Sequence, residues 1–201
     1  GSIAPAYSYV PQGFTGAIEP LKDLYGTDGK PDAAKAKKVL EDAGVKTPVK
    51  LALQYNPDHY GPNSGDEYAL VEKQLEAGGL FDVDLKSTEW VTYQKQRVSD
   101  YPAYQLGWFP DYSDADNYLS PFFAKDNFLS NNYDNPEVDK LISEQRGMTD
   151  AAERTKAIEE LQTMVAEDLS TLPLLQGAQV AIAGKDVKDV DKTLDASFKF
   201  R

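Results

Sequence analysis

The sequence predicts an α/β fold, because segments with helical periodicity alternate with segments of strand periodicity along residues 31–108. Three observations support this. Residues 31–43 carry an apolar stripe at helical spacing, with proline at the first turn and Gly44 as a stop. Residues 49–54 and 81–86 alternate apolar with polar side chains, as half-buried strands do.

The first thirty residues contain three prolines and several glycines without periodicity, which predicts an extended surface segment. Gly1 and Ser2 are typical of a cloning scar. The helix that follows should pack through one apolar stripe. Its members are Ala33, Ala36, Val39, Leu40 and Ala43.

Ser64 and Glu67 have the spacing of a capping box, which predicts a helix from residue 64 to about 77. The turn-rich loop before it, residues 56–65, carries His59, the only histidine. Further elements complete the alternation. They are a strand at 81–86, a helix at 89–98 and a strand at 103–108.

Residues 99–124 concentrate aromatic and acidic side chains where the periodicity changes. The strand at 103–108 ends in a Pro/Ser/Asp segment, residues 109–116, which predicts a loop. Asp116 or a neighbour is expected to cap a short helix at 117–124, because a carboxylate accepts the free N–H groups of a first turn. Such a corner would face a ligand; a core strand followed by a solvated loop explains the same residues.

The C-terminal third predicts two amphipathic helices, one with Asn135 as its cap and Pro136 in its first turn, the other opening at Asp150. Two groups of apolar residues should face inward. They are Val138, Leu141 and Ile142, and then Ile158, Leu161, Val165 and Leu169. Short strands are expected at 172–176 and 179–183, and residues 186–201 should form a tail or pack elsewhere.

The amino-acid composition disfavours several classes of function. The 33 acidic against 21 basic side chains give a net charge of −12, which disfavours nucleic-acid binding. Without cysteine there are no disulfides and no thiolate metal sites. No apolar run approaches the roughly 20 residues of a membrane span.

Motifs for catalysis or metal binding are weak. His59, Ser64 and Asp66 are close in sequence, but no G-x-S-x-G or H-E-x-x-H pattern surrounds them. Asp111, Asp114 and Asp116 lack the glycine and glutamate positions of a calcium-binding EF-hand loop. A pair of glycosidase-like carboxylates remains open, because such partners need not be close in sequence.

Small-ligand binding fits this region better. An aspartate beside Trp108, Phe109 and Tyr112 would hold a ligand ammonium, since aromatic walls lower the local dielectric and strengthen the ion pair. A ring face would add a cation–π contribution.

Several motifs resemble those of the peptide-binding receptors of oligopeptide and dipeptide ABC importers, which are extracytoplasmic solute-binding proteins. Residues 107–112 (GWFPDY) and 114–119 (DADNYL) resemble the family signature G-W-x-x-D-Y-x-D-P-x-N-[FY]. Further matches occur in family order. They are residues 31–44, 89–93 (EWVTY), 132–142 (NYDNPEVDKLI), 172–175 (LPLL) and 187–190 (VKDV).

The resemblance implies one lobe of a type-II periplasmic-binding-protein-like fold, a mixed sheet flanked by helices. Residues 3–177 would form the ligand-closing lobe, and residues 178–201 would return to the other lobe. It implies that Asp111 pairs with the α-amino group of a peptide and that Trp108 walls the pocket, with Phe109 and Tyr112 as neighbours.

The implied partners are a short peptide, the missing N-terminal lobe and a membrane permease, with no nucleic acid, cofactor or metal. The implied location is extracytoplasmic, in the periplasm or as a cell-surface lipoprotein, and no catalysis is implied. Three features depart from the family pattern. Ala115 replaces a proline, and Gln105 stands where some oligopeptide receptors carry an arginine for the peptide carboxylate. The loop at residues 55–65 also lacks the arginine that dipeptide receptors use.

Relatives of the same architecture bind sugars, metal complexes or opines, so ligand classes other than peptides stay open. Two alternatives of other classes are a carboxylate-dependent hydrolase and an interaction module with a broad acidic face.

Overall fold

The computed structural model describes residues 3–26, 30–178 and 180–193. Helices and strands alternate along these residues, and the predicted α/β class is confirmed. The helices are α1 (Pro20–Tyr25), α2 (Ala33–Asp42), α3 (Ser64–Glu76), α4 (Trp90–Gln96), α5 (Asp116–Phe123), α6 (Pro136–Gly147), α7 (Ala151–Asp168) and α8 (Val190–Thr193). The strands are β1 (Ile3–Pro5), β2 (Val49–Tyr55), β3 (Phe81–Ser87), β4 (Ala103–Tyr104) and β5 (Leu175–Gly177).

The chain forms two compact units. The middle unit comprises Lys30–Gly107, and the terminal unit comprises the described residues before Lys30 and after Gly107. Within the described residues, no helix is both long and apolar enough to cross a membrane.

The middle unit is built on a three-stranded parallel sheet in the order β3-β2-β4, with α3 packed on β2 and β3. Its buried apolar side chains include Leu53, Val83 and Tyr93. The Tyr93 hydroxyl donates to the carbonyl oxygen of Gln105 at 2.8 Å, just after β4. This bond ties α4 to the edge of the sheet where the parallel strands end.

Helix α2 forms where the apolar stripe predicts it, but it starts later and is not buried. Asp32 is the N-cap, its carboxylate accepting the Lys35 N–H at 2.9 Å, so Pro31 lies before the helix and not in its first turn. Gly44 ends the helix at φ +69°, as expected. The stripe is not a core face, because no α2 residue is buried and Val39 is 59% exposed. Periodicity locates an apolar face but not the element that covers it.

Two local predictions in the middle unit are wrong. No capping box forms, because Asn63 is the N-cap of α3 and Ser64 is a buried first-turn residue. The strand predicted at 103–108 is only two residues long. The backbone N–H of Gln105 still donates to the carbonyl oxygen of Gln54 at 2.9 Å, and the Gln105 side chain accepts the Asn56 N–H at 2.8 Å. The pairing with β2 ends there.

The terminal unit is organised around α7, which contacts α1, α5 and α6. Its core contains Val10, Leu119, Phe123, Ile142 and Leu161, each no more than 1% exposed. Strands β1 and β5 form a separate antiparallel ribbon.

The prediction of an irregular surface segment for residues 3–30 is wrong in part, because β1 and α1 form within it and residues 8–10 are buried. Tyr9 and Val10 are buried, and the Tyr9 hydroxyl donates to the carbonyl oxygens of Val165 (3.1 Å) and Thr171 (2.9 Å). Burial raises the pKa of Tyr9 well above its ordinary value. Long-range contacts with α7 order this segment, and such contacts leave no local periodicity to read.

The caps of α6 and α7 are confirmed. Asn135 accepts the Glu137 and Val138 N–H groups, with Pro136 in the first turn, and Asp150 accepts those of Ala152 and Glu153. One inward-facing residue was predicted wrongly. Leu169 is 43% exposed, because the chain turns into a left-handed conformation (φ +50°) at the end of α7.

Of the two predicted C-terminal strands, one is shorter than predicted and the other does not form in residues 180–183. β5 occupies Leu175–Gly177, and residues 180–183 form no strand, with Ile182 96% exposed. Helix α8 lies within the predicted tail. Gly1, Ser2, Gln179 and residues 194–201, which carry other predictions, lie outside the described residues.

Candidate functional site

One buried side chain organises the segment that the sequence singles out, residues 108–116, here called the aromatic loop. Asn117, 4% exposed, lies in the first turn of α5. Its Oδ1 accepts two bonds, from Trp108 Nε1 at 3.2 Å and from the Asp111 N–H at 2.9 Å. A single oxygen therefore fixes both the indole ring and the backbone at Asp111.

The loop meets α5 through Asp114. Its Oδ1 accepts the Asp116 N–H at 2.8 Å, which satisfies a first-turn donor. The predicted carboxylate cap is therefore wrong as to position: the N-cap is Ala115, which makes no side-chain cap bond, and Asp114, one residue earlier, accepts the first-turn N–H. Asp116 itself is the first helical residue and is 7% exposed, so its side chain turns into the protein.

The four predicted binding residues lie on this one loop. Trp108 is half-buried, and its ring makes edge-to-face contacts with Phe122 (5.5 Å between centroids) and Phe128 (6.2 Å). The aromatic residues Phe109 and Tyr112 are 63% and 46% exposed.

Asp111 is also exposed. The loop therefore combines a ring fixed by its neighbours with two exposed rings and an exposed carboxylate. Such a surface suits a ligand that carries both an ammonium group and apolar groups.

Asp114 and Asp116 each have a cationic partner. Asp114 binds the Arg154 guanidinium through two bonds of 2.7 and 2.8 Å. These bonds hold the pKa of the Asp114 carboxyl below its ordinary value, against the opposing effect of partial burial. Asp116 accepts from Arg146 Nε at 3.3 Å, and the Tyr112 hydroxyl donates to it at 3.5 Å.

A metal site is not assembled from these carboxylates. In the described ranges, no group of three histidine, aspartate or glutamate side chains is arranged to hold an ion.

The histidine considered for catalysis lies in the middle unit, in a stack of rings. His59 lies parallel to Trp90, with ring centroids 3.7 Å apart and planes within 2°, and meets Tyr60 edge-on at 4.8 Å. Where the chain is described, its ring makes no hydrogen bond with Ser64 or Asp66. The nucleophile and base of a hydrolase are thus not brought together here.

Sequence reasoning missed three residues that shape the loop. Asn117 was visible only as one position of the family signature, with no role attached. Gln145 and Arg154 reach the loop from α6 and α7, and their distance along the sequence leaves no local signal.

Comparison with known proteins gives a family. Residues 1–130 match the family described as "Bacterial extracellular solute-binding proteins, family 5 Middle". The periplasmic oligopeptide-binding protein OppA of Haemophilus influenzae is 31% identical over 143 residues, which are 70% of this chain and 26% of that protein. The oligopeptide-binding protein OppA of Bacillus subtilis is 27% identical over 94% of this chain and 35% of its own length.

The fold of this chain is also similar to that of a solved structure. The dipeptide-binding protein of a Pseudoalteromonas species, in complex with Met-Leu, superposes with a TM-score of 0.75 at 26% identity. The match covers 88% of this chain and 35% of that protein. The predicted periplasmic-binding-protein fold of type II is therefore confirmed, and this chain spans about a quarter to a third of the length of these three proteins.

Proposed function

The chain belongs to the bacterial extracellular solute-binding proteins of family 5, and we propose that it supplies one side of a cleft that binds short peptides for an ABC importer. In this proposal residues 3–177 are the ligand-closing lobe, and residues 178–201 return to the other lobe. The whole receptor acts outside the cytoplasm and delivers its ligand to a membrane permease. It binds its ligand and does not transform it.

The aromatic loop recognises the N-terminal end of the peptide in this proposal. The carboxylate of Asp111 receives the α-ammonium group, Trp108 forms a wall, and Phe109 and Tyr112 contact the first side chains. The supporting observation is the pair of hydrogen bonds accepted by Asn117 Oδ1, which fix the Trp108 ring and the Asp111 backbone before a ligand arrives. Preorganisation of this kind lowers the entropy cost of binding.

The side chain of Gln105 sets a limit on carboxylate recognition. It is 7% exposed and bonded to the backbone at Asn56, so it is not offered to a ligand carboxylate. Recognition at Asp111 alone would leave the length of the peptide open, and the proposal therefore names short peptides as a class.

A comparison of tri-alanine with N-acetyl-tri-alanine tests the proposal in the full-length receptor. Acetylation removes the ammonium charge and should weaken binding by roughly 10- to 100-fold, the value of a charge-assisted bond. Asp111→Asn should weaken binding of tri-alanine by a similar factor and leave that of the acetylated peptide nearly unchanged. Calorimetry measures both affinities.

Two results would contradict the proposal. Equal affinities of the wild-type receptor for the two peptides would exclude an ammonium site. Binding of an oligosaccharide but of neither peptide would keep the fold and replace the ligand class. Lys140→Gln, which removes an exposed ion pair on α6, serves as the control.

A further inference from the structure

We propose that Arg154 on α7 is a positioning residue for ligand recognition, acting through Asp114 to hold Asn117, Trp108 and Asp111 in place. The inference rests on the proposed function and adds a residue that does not itself contact the ligand. It concerns an anchoring network, defined as Asp114, Asp116, Gln145, Arg146 and Arg154.

The network begins with a two-pronged ion pair. Arg154 Nη1 and Nη2 donate to the two oxygens of Asp114 at 2.8 and 2.7 Å, and the side chains are 28% and 33% exposed. A guanidinium held by both prongs fixes the carboxylate in angle as well as in position. Forty residues separate the partners, so the bond joins the aromatic loop to a helix that the core holds rigidly.

Asp114 in turn fixes the start of α5 through two hydrogen bonds. Its carboxylate accepts the Asp116 N–H at 2.8 Å, and its carbonyl oxygen accepts the Asn117 N–H at 3.1 Å. Asn117 in turn accepts from Trp108 and from the Asp111 backbone. Every step from Arg154 to the two binding residues is therefore a hydrogen bond.

A second arm runs through a fully buried side chain. Arg154 Nε donates to Gln145 Oε1 at 3.1 Å, and Gln145 Nε2 donates to Asp116 Oδ1 at 2.5 Å. Gln145 is 0% exposed, so a lost bond would leave a buried amide oxygen without its partner. Ser120 also donates to Asp116, and Arg146 approaches it from the surface. The backbone N–H and the side chain of Asp116, the first residue of α5, are thus both linked to Arg154.

This arrangement predicts a change in selectivity and not only in stability. Without Arg154, Asp114 is free to rotate, Asn117 shifts, and Asp111 no longer meets the ammonium group at a fixed position. Discrimination between tri-alanine and N-acetyl-tri-alanine should fall by roughly tenfold, because the ammonium contact is the one that needs the exact loop position. A residue that only stabilises the fold would change the melting temperature without changing this ratio.

The experiment uses the full-length receptor with Arg154→Met, Arg154→Lys and Asp114→Asn. Arg154→Met should lose the discrimination, and Arg154→Lys should recover only part of it, because an ammonium cannot reproduce the two prongs. Asp114→Asn, which keeps the shape of the side chain, should match Arg154→Met. If Arg154→Met fails to fold, the other two variants carry the test. Lys140→Gln, on α6 but outside the network, should behave as wild type.

A spectroscopic readout separates this inference from the proposed function. The indole N–H signal of Trp108 in an amide NMR spectrum, identified by its loss in Trp108→Phe, reports the bond to Asn117. Arg154→Met should shift that signal, and Lys140→Gln should not. An unmoved signal together with unchanged discrimination would overturn the positioning role. If Arg154→Met moves the signal but the wild-type receptor already binds the two peptides equally, the positioning role is supported and the ammonium site is overturned.

Discussion

The two units of this chain solve the problem of burial differently. Of the nineteen buried apolar side chains in the described residues, fourteen lie in the terminal unit and five in the middle unit. The terminal unit wraps short helices and an irregular segment around α7. The middle unit has regular strands and helices, yet α2 contributes no buried residue. On β3, the charged side chains of Asp82, Asp84 and Lys86 are exposed.

The difference teaches that regular periodicity and a thick core are separate properties. In the middle unit the periodic segments are the easiest to recognise, but much of their apolar surface is only half-covered. In the terminal unit the segment around Tyr9 and Val10 has no period and is fully packed. Stability should therefore be concentrated in the less regular unit.

The largest expected effect tests this contrast directly. Phe123 is 1% exposed and meets Tyr9 and Tyr133 edge-to-face, each at 5.3 Å, so Phe123→Ala should lower the free energy of unfolding by about 3–5 kcal/mol. Val39→Ala on α2 should change it by less than about 0.5 kcal/mol. Urea denaturation followed by circular dichroism measures both. Similar losses in the two variants would mean that α2 is packed after all.

A smaller change in stability is expected from removing either of two aspartate helix caps. Asp150→Ala removes the bonds to the first turn of α7 and should cost about 1 kcal/mol in global unfolding. Asp32→Ala removes the same kind of bond from α2, which can fray without unfolding its neighbours. Its cost should appear as faster amide hydrogen exchange confined to α2. A global loss from Asp32→Ala as large as that from Asp150→Ala would contradict the contrast.

The smallest effect is a pH dependence within the anchoring network. The pKa of Asp114 is lowered in the folded state below its ordinary 3.8, so its stabilising contribution is complete above about pH 4. That contribution is lost as the pH falls through the folded-state pKa. Because the side chain is one-third exposed, we expect at most about 1 kcal/mol.

Asp114→Asn should remove this dependence. The difference in unfolding free energy between wild type and Asp114→Asn should shrink on acidification from pH 6 to pH 2. A constant difference would show that the carboxylate charge contributes nothing. Asp82→Asn, at an exposed position on β3 and outside the network, provides a comparison for general acid effects.

Local chemistry explains which parts of the fold were predictable. Asn135 and Asp150 act as caps because the signal and its target are within three residues of each other. Ser64 carries the same signal, but the N-cap of α3 is Asn63, and Ser64 is instead a buried residue of the first turn. A cap motif thus predicts that a helix begins nearby without fixing which residue caps it.

The candidate site was predictable as a set of residues but not as a mechanism of assembly. Trp108, Phe109, Asp111 and Tyr112 are consecutive or nearly so, and their chemistry can be read from the sequence. Their supports come from Asn117, Gln145 and Arg154, whose side chains converge only after α6 and α7 pack. Hydrogen bonds between segments that are distant in sequence follow no periodicity or spacing rule, so no local sequence pattern predicts them.

The shared oxygen of Asn117 has a consequence for how the proposed binding surface can change. Because one atom serves both Trp108 and Asp111, a mutation at position 117 alters the two together and cannot adjust one alone. Phe109 and Tyr112 are 63% and 46% exposed, and the Tyr112 hydroxyl bonds to Asp116 and not to Asn117. Under the proposed function, substitutions that change ligand preference should therefore be found more often at Phe109 and Tyr112, in natural sequences or in a library. Trp108 and Asp111 should be conserved or replaced together.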